Sequence, residues 1–229
     1  EREGLADVVV RRLGLRCPAP DLTEWADMVR RAKNPKGEVT VALVGKYVAL
    51  HDAYLSVAEA LTHGGIENRV KVNIRWVDSE TVTDKNAAQV LDGVNGVLVP
   101  GGFGSRGIEG KISAIRYARE QGVPFLGICL GMQMAVVEFA RHVCGMEDAH
   151  SSEFSSATGH PVIDLMAGQR GLTDKGGTMR LGTFPCRLTS RESRAFAAYG
   201  TREISERHRH RYEFNNDFRE AVTGAGLDL

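Results

Sequence analysis

A cysteine with glycine two residues before and two residues after it, Gly127-Ile128-Cys129-Leu130-Gly131, follows an apolar run at 123–128 and precedes a periodic apolar segment at 132–143. Such a run followed by apolar residues at helical spacing reads as a strand and then a helix. The chain must therefore turn sharply from one into the other, with Cys129 at the tip. This is the nucleophile-elbow pattern with cysteine in place of serine. Glycine clears the space that a tight turn denies to side chains. A helix N-terminus also presents free N–H groups and a positive dipole end, so the placement is expected to favour the thiolate. The commonest fate of a cysteine is to be a buried structural residue, but that reading leaves the glycine spacing and the strand-helix context unexplained.

The same alternation precedes the elbow. Residues 39–44 form a continuous apolar strand candidate of the kind buried on both faces of a parallel sheet. Asp52 is placed to cap a helix through Tyr54, Val57, Ala58 and Leu61, which is expected to stop at Gly64-Gly65. A strand at 70–77, a weaker helix at 82–91 and a third strand at 96–99 follow, the last ending in Pro100-Gly101-Gly102. A helix at 109–120 carries Ile112, Ile115 and Ala118 at helical spacing, and a fourth strand at 124–128 delivers Cys129. The pattern predicts an α/β fold, a doubly wound, mostly parallel sheet with flanking helices, whose ligands gather at the carboxyl ends of the strands. Beyond 144 the periodicity weakens. Short strands are expected at 162–166, 178–181 and 184–188, and a last helix at 215–225.

Residues 1–38 read differently. Val8, Val9, Val10 and Leu13 suggest a short helix, broken by Cys17-Pro18-Ala19-Pro20. Asp21 has the position of an N-cap, with Glu24 three residues on, ahead of Trp25, Met28 and Val29. Asn34-Pro35-Lys36-Gly37 then reads as a linker. This short helical N-terminal arm is too small for its own core. It is expected to be the end of an upstream domain, with the main domain at 39–229.

Composition narrows the function classes. The 229 residues carry 29 basic and 29 acidic side chains, so no net field points to nucleic acid or an anionic membrane. No apolar run reaches the ~20 residues of a membrane-spanning helix, and Glu-Arg-Glu-Gly does not open a signal peptide. Four cysteines, at 17, 129, 144 and 186, lack any C-x-x-C spacing, so no metal site is expected. A reducing cytoplasmic setting suits a free reactive thiol.

Catalysis by a thiolate requires oxyanion donors and a substrate clamp. The N–H of Leu130, next after the nucleophile, is the first expected donor. Gly101-Gly102, at the exit of the neighbouring strand, suits the second. Pro100-Gly101-Gly102-Phe103-Gly104, taken with Gly127-Ile128-Cys129-Leu130-Gly131-Met132-Gln133, resembles the class I, triad-type glutamine amidotransferases. Further segments resemble the amidotransferase domains of the CTP synthase family. They are Val44-Gly45-Lys46-Tyr47, the run 104–111, Ser152-Glu153-Phe154, the run 176–182 and the run 206–213, in the family's order and over nearly the whole chain.

The resemblance implies a flavodoxin-like domain that hydrolyses glutamine through a thioester on Cys129. Gly102 and Leu130 would be the oxyanion donors. Gly102, Leu130, Gly131, Met132, Gln133, Glu153 and Arg211 would bind L-glutamine, a role in which arginine suits a carboxylate and glutamate an ammonium. It implies no cofactor in this domain. ATP, UTP and Mg²⁺ would belong to a synthetase domain that receives the ammonia and makes CTP, in a parent expected to be a homo-oligomer, tetrameric in the family. GTP would be an allosteric activator, with Phe103, Arg106, Gly107 and Glu109 as its response loop. The cluster Arg207-His208-Arg209-His210-Arg211 is expected to be a buried structural network with one arginine facing substrate, not a nucleic-acid patch.

The same resemblance places the family's base and its orienting acid in a His-Pro-Glu motif that would follow Leu229. The one His-Pro pair, His160-Pro161, continues with Val162 and falls in a different part of the family pattern. His208 and His210 have the chemistry of a base but match other family positions. The expectation is that these 229 residues alone show little glutaminase activity. The competing readings are a non-catalytic glutamine-binding or regulatory fragment, and another elbow-cysteine hydrolase.

Overall fold

A computed structural model describes residues 3–166 and 180–229 of the chain. The chain divides into two compact units, Glu1–Glu38 with Glu59–Val72, and Val39–Ala58 with Asn73–Leu229.

In the first unit, α1 (Leu5–Arg12) and α2 (Thr23–Lys33) bury no residue. Asp21 is not the N-cap expected of it: Leu22 holds that position without a side-chain cap, and Asp21, one residue earlier, accepts from the Thr23 N–H at 3.0 Å. Arg31 of α2 pairs with Asp27 at 3.1 Å and Glu67 at 2.5 Å. The chain passes through β1 (Gly37–Gly45) and a short 3₁₀ turn (His51–Tyr54) into α3 (Leu55–Asn68). This helix does not stop at Gly64-Gly65 as expected; it continues to Asn68. Gly65 serves packing instead. A Cβ there would lie 2.7 Å from the Val70 carbonyl oxygen, so the helix crosses the start of the next strand at a distance only glycine allows.

The second unit holds the sheet. After β2 (Val70–Asp78) come a single turn, α4 (Ala87–Val90), then β3 (Gly96–Val99), α5 (Ile108–Glu120), β4 (Phe125–Gly127) and α6 (Leu130–His142). The strand order is β2-β1-β3-β4. β1 pairs in parallel with β3, Leu43 opposite Leu98, and β3 in parallel with β4, Val99 opposite Gly127. Ala42, Leu43, Val44, Val97, Leu98 and Val99 are all buried, as in a sheet covered on both faces. The helix expected at 82–91 contracts to α4.

Past α6, β5 (His150–Ser151) pairs in parallel with β6 (Pro161–Leu165). β7 (Arg180–Arg187), α7 (Arg194–Tyr199), β8 (Glu203–His210), β9 (Tyr212–Phe214) and α8 (Arg219–Gly224) complete the chain. β9 returns antiparallel to β6. β7 and β8 form an antiparallel ribbon. The strands expected at 178–181 and 184–188 merge, within the described residues, into β7; residues 176–179 lie outside them.

Candidate active site

Cys129 caps α6 with φ 55° and ψ −110°, a conformation that L-residues rarely adopt. Backbone strain of this kind persists only where the surroundings over-determine it. Here they do. Ile128 N–H donates to the Val99 carbonyl at 3.0 Å, and Gly131 N–H to the Ile128 carbonyl at 2.9 Å. A Cβ on Gly127 would lie 2.6 Å from backbone atoms of Gly131 and Met132, and one on Gly131 would lie 2.0 Å from the Val99 oxygen. Both glycines are therefore demanded by backbone packed on backbone, and the thiol is held at the carboxyl end of the sheet.

The neighbouring strand supplies the second element. Gly101, at the exit of β3, faces Cys129: a Cβ there would be 3.3 Å from Cys129 Cβ and 3.7 Å from Sγ. The next residue, Gly102, faces Leu130 and two lysines; a Cβ on it would be 3.6 Å from Leu130 Cδ2, 3.5 Å from Lys46 Cε and 3.6 Å from Lys111 Nζ. Lys46 Nζ donates to the Phe103 carbonyl and, at 3.3 Å, to that of Gly104, tying the loop to the end of β1.

A cleft of about 100 Å³ opens beside the thiol, lined by Gly102, Phe103, Cys129, Gln133, Glu153, Arg209, His210, Arg211 and Tyr212. Five residues expected at the glutamine site or as nucleophile thus converge: Gly102, Cys129, Gln133, Glu153 and Arg211. Gln133 is buried and donates to the Tyr212 carbonyl at 3.0 Å, joining α6 to β9. Glu153 is set by a turn in which its N–H donates to the buried Ser151 hydroxyl at 3.2 Å. Leu130, Gly131 and Met132 contribute no side-chain wall. Leu130 and Gly131 are buried behind the elbow and the Met132 side chain is exposed.

Electrostatics modify one expectation. Burial pushes the Cys129 thiol up, and Glu153 adds to the rise; the Leu130 N–H and Lys111 pull the other way without prevailing. The helix N-terminus alone does not deliver a low-pKa thiol, because desolvation of the thiolate outweighs it. Glu153 is itself raised, by the protein around its carboxylate, with Lys46 opposing.

Of the loop residues, Phe103 is 62% exposed and lies under the Arg209 guanidinium, 5.8 Å from the ring centroid. Arg106 pairs with Glu80 at 3.0 Å and lies over Tyr47. Gly107 precedes α5 at φ 72°. Glu109 points elsewhere, pairing with Arg141 at 2.9 Å. The basic cluster is not the buried network expected of it. It lies on the β7–β8 ribbon and the turn into β9, where Arg207 and Arg209 are exposed and Arg209, His210 and Arg211 line the cleft. His208 packs edge-on against Phe184 and His210. His160 hydrogen-bonds Asp148, away from the cleft lining.

Lys46 and Lys111 had no place among the expected site residues. For Lys111 a signal exists in the spacing: it lies three residues after Ile108 and four before Ile115, on the apolar face of α5. A wider concavity of about 580 Å³ lies within the first unit, between Trp25, Met28, His63 and Ile66, and carries no nucleophile. Among the described residues no group of His, Cys, Asp and Glu could hold a metal ion, and no helix is long and apolar enough to cross a membrane.

Comparison with known proteins adds to this geometry. A sequence model of the family "Glutamine amidotransferase class-I" matches residues 49–226. CTP synthase of Ruminiclostridium cellulolyticum is 60% identical over all 229 residues, and that of Carboxydothermus hydrogenoformans 59% identical over 227. The chain spans 42% of the length of each. The solved glutaminase domain of Trypanosoma brucei CTPS, with bound acivicin, superposes with a TM-score of 0.76 at 39% identity, covering 82% of this chain and 72% of that one.

Proposed function

The chain belongs to the class-I glutamine amidotransferase family, with CTP synthase amidotransferase domains as its relatives, and on that premise we propose that Cys129 hydrolyses L-glutamine to feed ammonia to a synthetase domain. The observation that carries the reading is the elbow: a strained cysteine, two glycines packed against backbone, and Gly101-Gly102 beside the sulfur. The thiolate attacks the side-chain amide carbon. The carbonyl oxygen takes up the negative charge, with the backbone N–H groups of Leu130 and Gly102 as donors. Collapse, with the proton lost by the thiol passed to the nitrogen, expels ammonia and leaves a γ-glutamyl thioester, and water then releases glutamate and the thiol. Arg211 is suited to the substrate carboxylate, and Glu153 to its ammonium. The acivicin carried by the Trypanosoma brucei domain, a glutamine analogue, supports a glutamine-shaped cleft.

In the whole protein the ammonia would aminate UTP activated by ATP and Mg²⁺, giving CTP. GTP would act as an activator through the loop of Phe103, Arg106, Gly107 and Glu109. The intact parent and its Cys129→Ser variant test this together. Glutamine-dependent CTP formation should vanish in the variant, while CTP formation from ammonium chloride persists. Retention of the glutamine-dependent reaction in the variant, or equal loss of both, contradicts the reading. Arg106→Ala should lower the GTP response while leaving the ammonia reaction unchanged.

A further inference from the structure

Lys111 is fully buried on α5, yet its Nζ has no hydrogen-bond partner among the described residues. Such groups are rare, and each calls for an explanation. A lysine unpaired in the interior is normally replaced by an apolar residue of like volume, since burying its charge costs stability. This one is also held next to a second cation, because Lys46 lies against the same glycine. The group that Lys111 does favour, and is favoured by, is the Cys129 thiolate.

We propose that Lys111 is a positioning residue for catalysis, its buried ammonium beneath the Gly101-Gly102 turn lowering the cost of forming the Cys129 thiolate and of negative charge at the oxyanion site. The division of labour with Lys46 follows from contacts. Lys46 spends its protons on the Phe103 and Gly104 carbonyls and fixes the loop. Lys111 spends none, so its field is directed at whatever anion forms across the turn. Desolvation, and secondarily repulsion from Lys46, pulls Lys111 down to about 8. It is then still largely charged at neutral pH and loses the charge just above. The groups facing this pair are Lys46 at the end of β1, Glu153 from the turn after β5, and the thiol itself. Glu153 opposes the thiolate and Lys111 offsets it.

The inference rests on Cys129 being the nucleophile, and its test needs no glutamine. The rate of Cys129 alkylation by iodoacetamide is followed against pH in the full-length protein and in Lys111→Met, which keeps volume and removes charge. The midpoint should rise by about one pH unit, so that the rate at pH 7 falls roughly tenfold, with no loss in melting temperature. Lys111→Arg should keep the midpoint within about half a unit of the parent protein. An unchanged midpoint in folded Lys111→Met overturns the proposal. If that variant does not fold, the parent decides. Capping Cys129 with iodoacetamide should lower the Lys111 ¹⁵Nζ titration midpoint, and a midpoint unmoved by capping overturns it equally. A protein that fails to hydrolyse glutamine while the midpoint still shifts would refute the proposed function and leave the lysine–thiol coupling standing.

Discussion

The cleft beside Cys129 has two walls of different make. One is the elbow, where β3, β4 and the first turn of α6 press backbone on backbone and Leu130 and Met134 are buried. The other is the end of the β7–β8 ribbon and the turn into β9, a two-stranded element with exposed Glu203, Ser205, Arg207 and Arg209. Cys129 sits on the close-packed wall, Arg211 sits at the ribbon end, and Glu153 enters from the turn after β5. Chemistry needs sub-ångström placement, which close packing provides. Arg209 and Arg211, at the end of the ribbon, bring long polar side chains to the cleft.

Substitutions that probe each wall sharpen this contrast. Gly131→Ala drives a methyl group to 2.0 Å from the Val99 oxygen and should have the largest effect. A loss of ~3 kcal/mol or more is expected. Thermal denaturation should show a melting point lower by about 10 °C, and Cys129 alkylation should slow with it.

Lys111→Met should act in the opposite direction. The folded-state pKa of Lys111 is depressed from 10.5 to about 8, so the unfolded chain binds more protons between those values and stability rises with pH across that window. Below about pH 8 the native state carries the whole cost of the buried charge, on the order of 3 kcal/mol from the size of the shift. Denaturant titrations should find Lys111→Met more stable than the parent at pH 7 by up to that amount, with the difference shrinking toward pH 10.5. A loss of stability at pH 7 would show that Lys111 is a structural residue.

The two regions also differ in their ion pairs. Glu138, 1% exposed, accepts from Arg119 at 2.8 Å and 3.0 Å where α5 meets α6. On the ribbon, Arg187 and Glu203 stand 3.7 Å apart, both 71% exposed. Glu138→Gln should cost about 2 kcal/mol, less than a fully buried pair because Arg119 reaches solvent. Glu203→Gln should cost under about 0.5 kcal/mol. Equal costs would mean that the ribbon is packed as firmly as the sheet.

The difference between the regions also explains what the sequence revealed. The central strands β1 and β3 are legible because burial on two faces leaves unbroken apolar runs, and the elbow because a turn this tight admits only glycine at 127 and 131. The helix runs through Gly64-Gly65 against expectation because Gly65 serves a close crossing, which the spacing does not distinguish from a stop. The ribbon was not legible. Its exposed strands carry Glu206 through His210 without apolar alternation, so the basic cluster reads as a network until the β7 register places it. Lys111 is hard to read for the converse reason: its charge suggests solvent, whereas its spacing from Ile108 and Ile115 places it inside.

The assignment of Cys129 as the glutamine nucleophile is tested most directly by 6-diazo-5-oxonorleucine, a glutamine-mimicking electrophile, followed by peptide mapping of the full-length protein. One adduct per chain is predicted, on Cys129, suppressed by excess L-glutamine. Modification of Cys17, Cys144 or Cys186 with Cys129 untouched would contradict it.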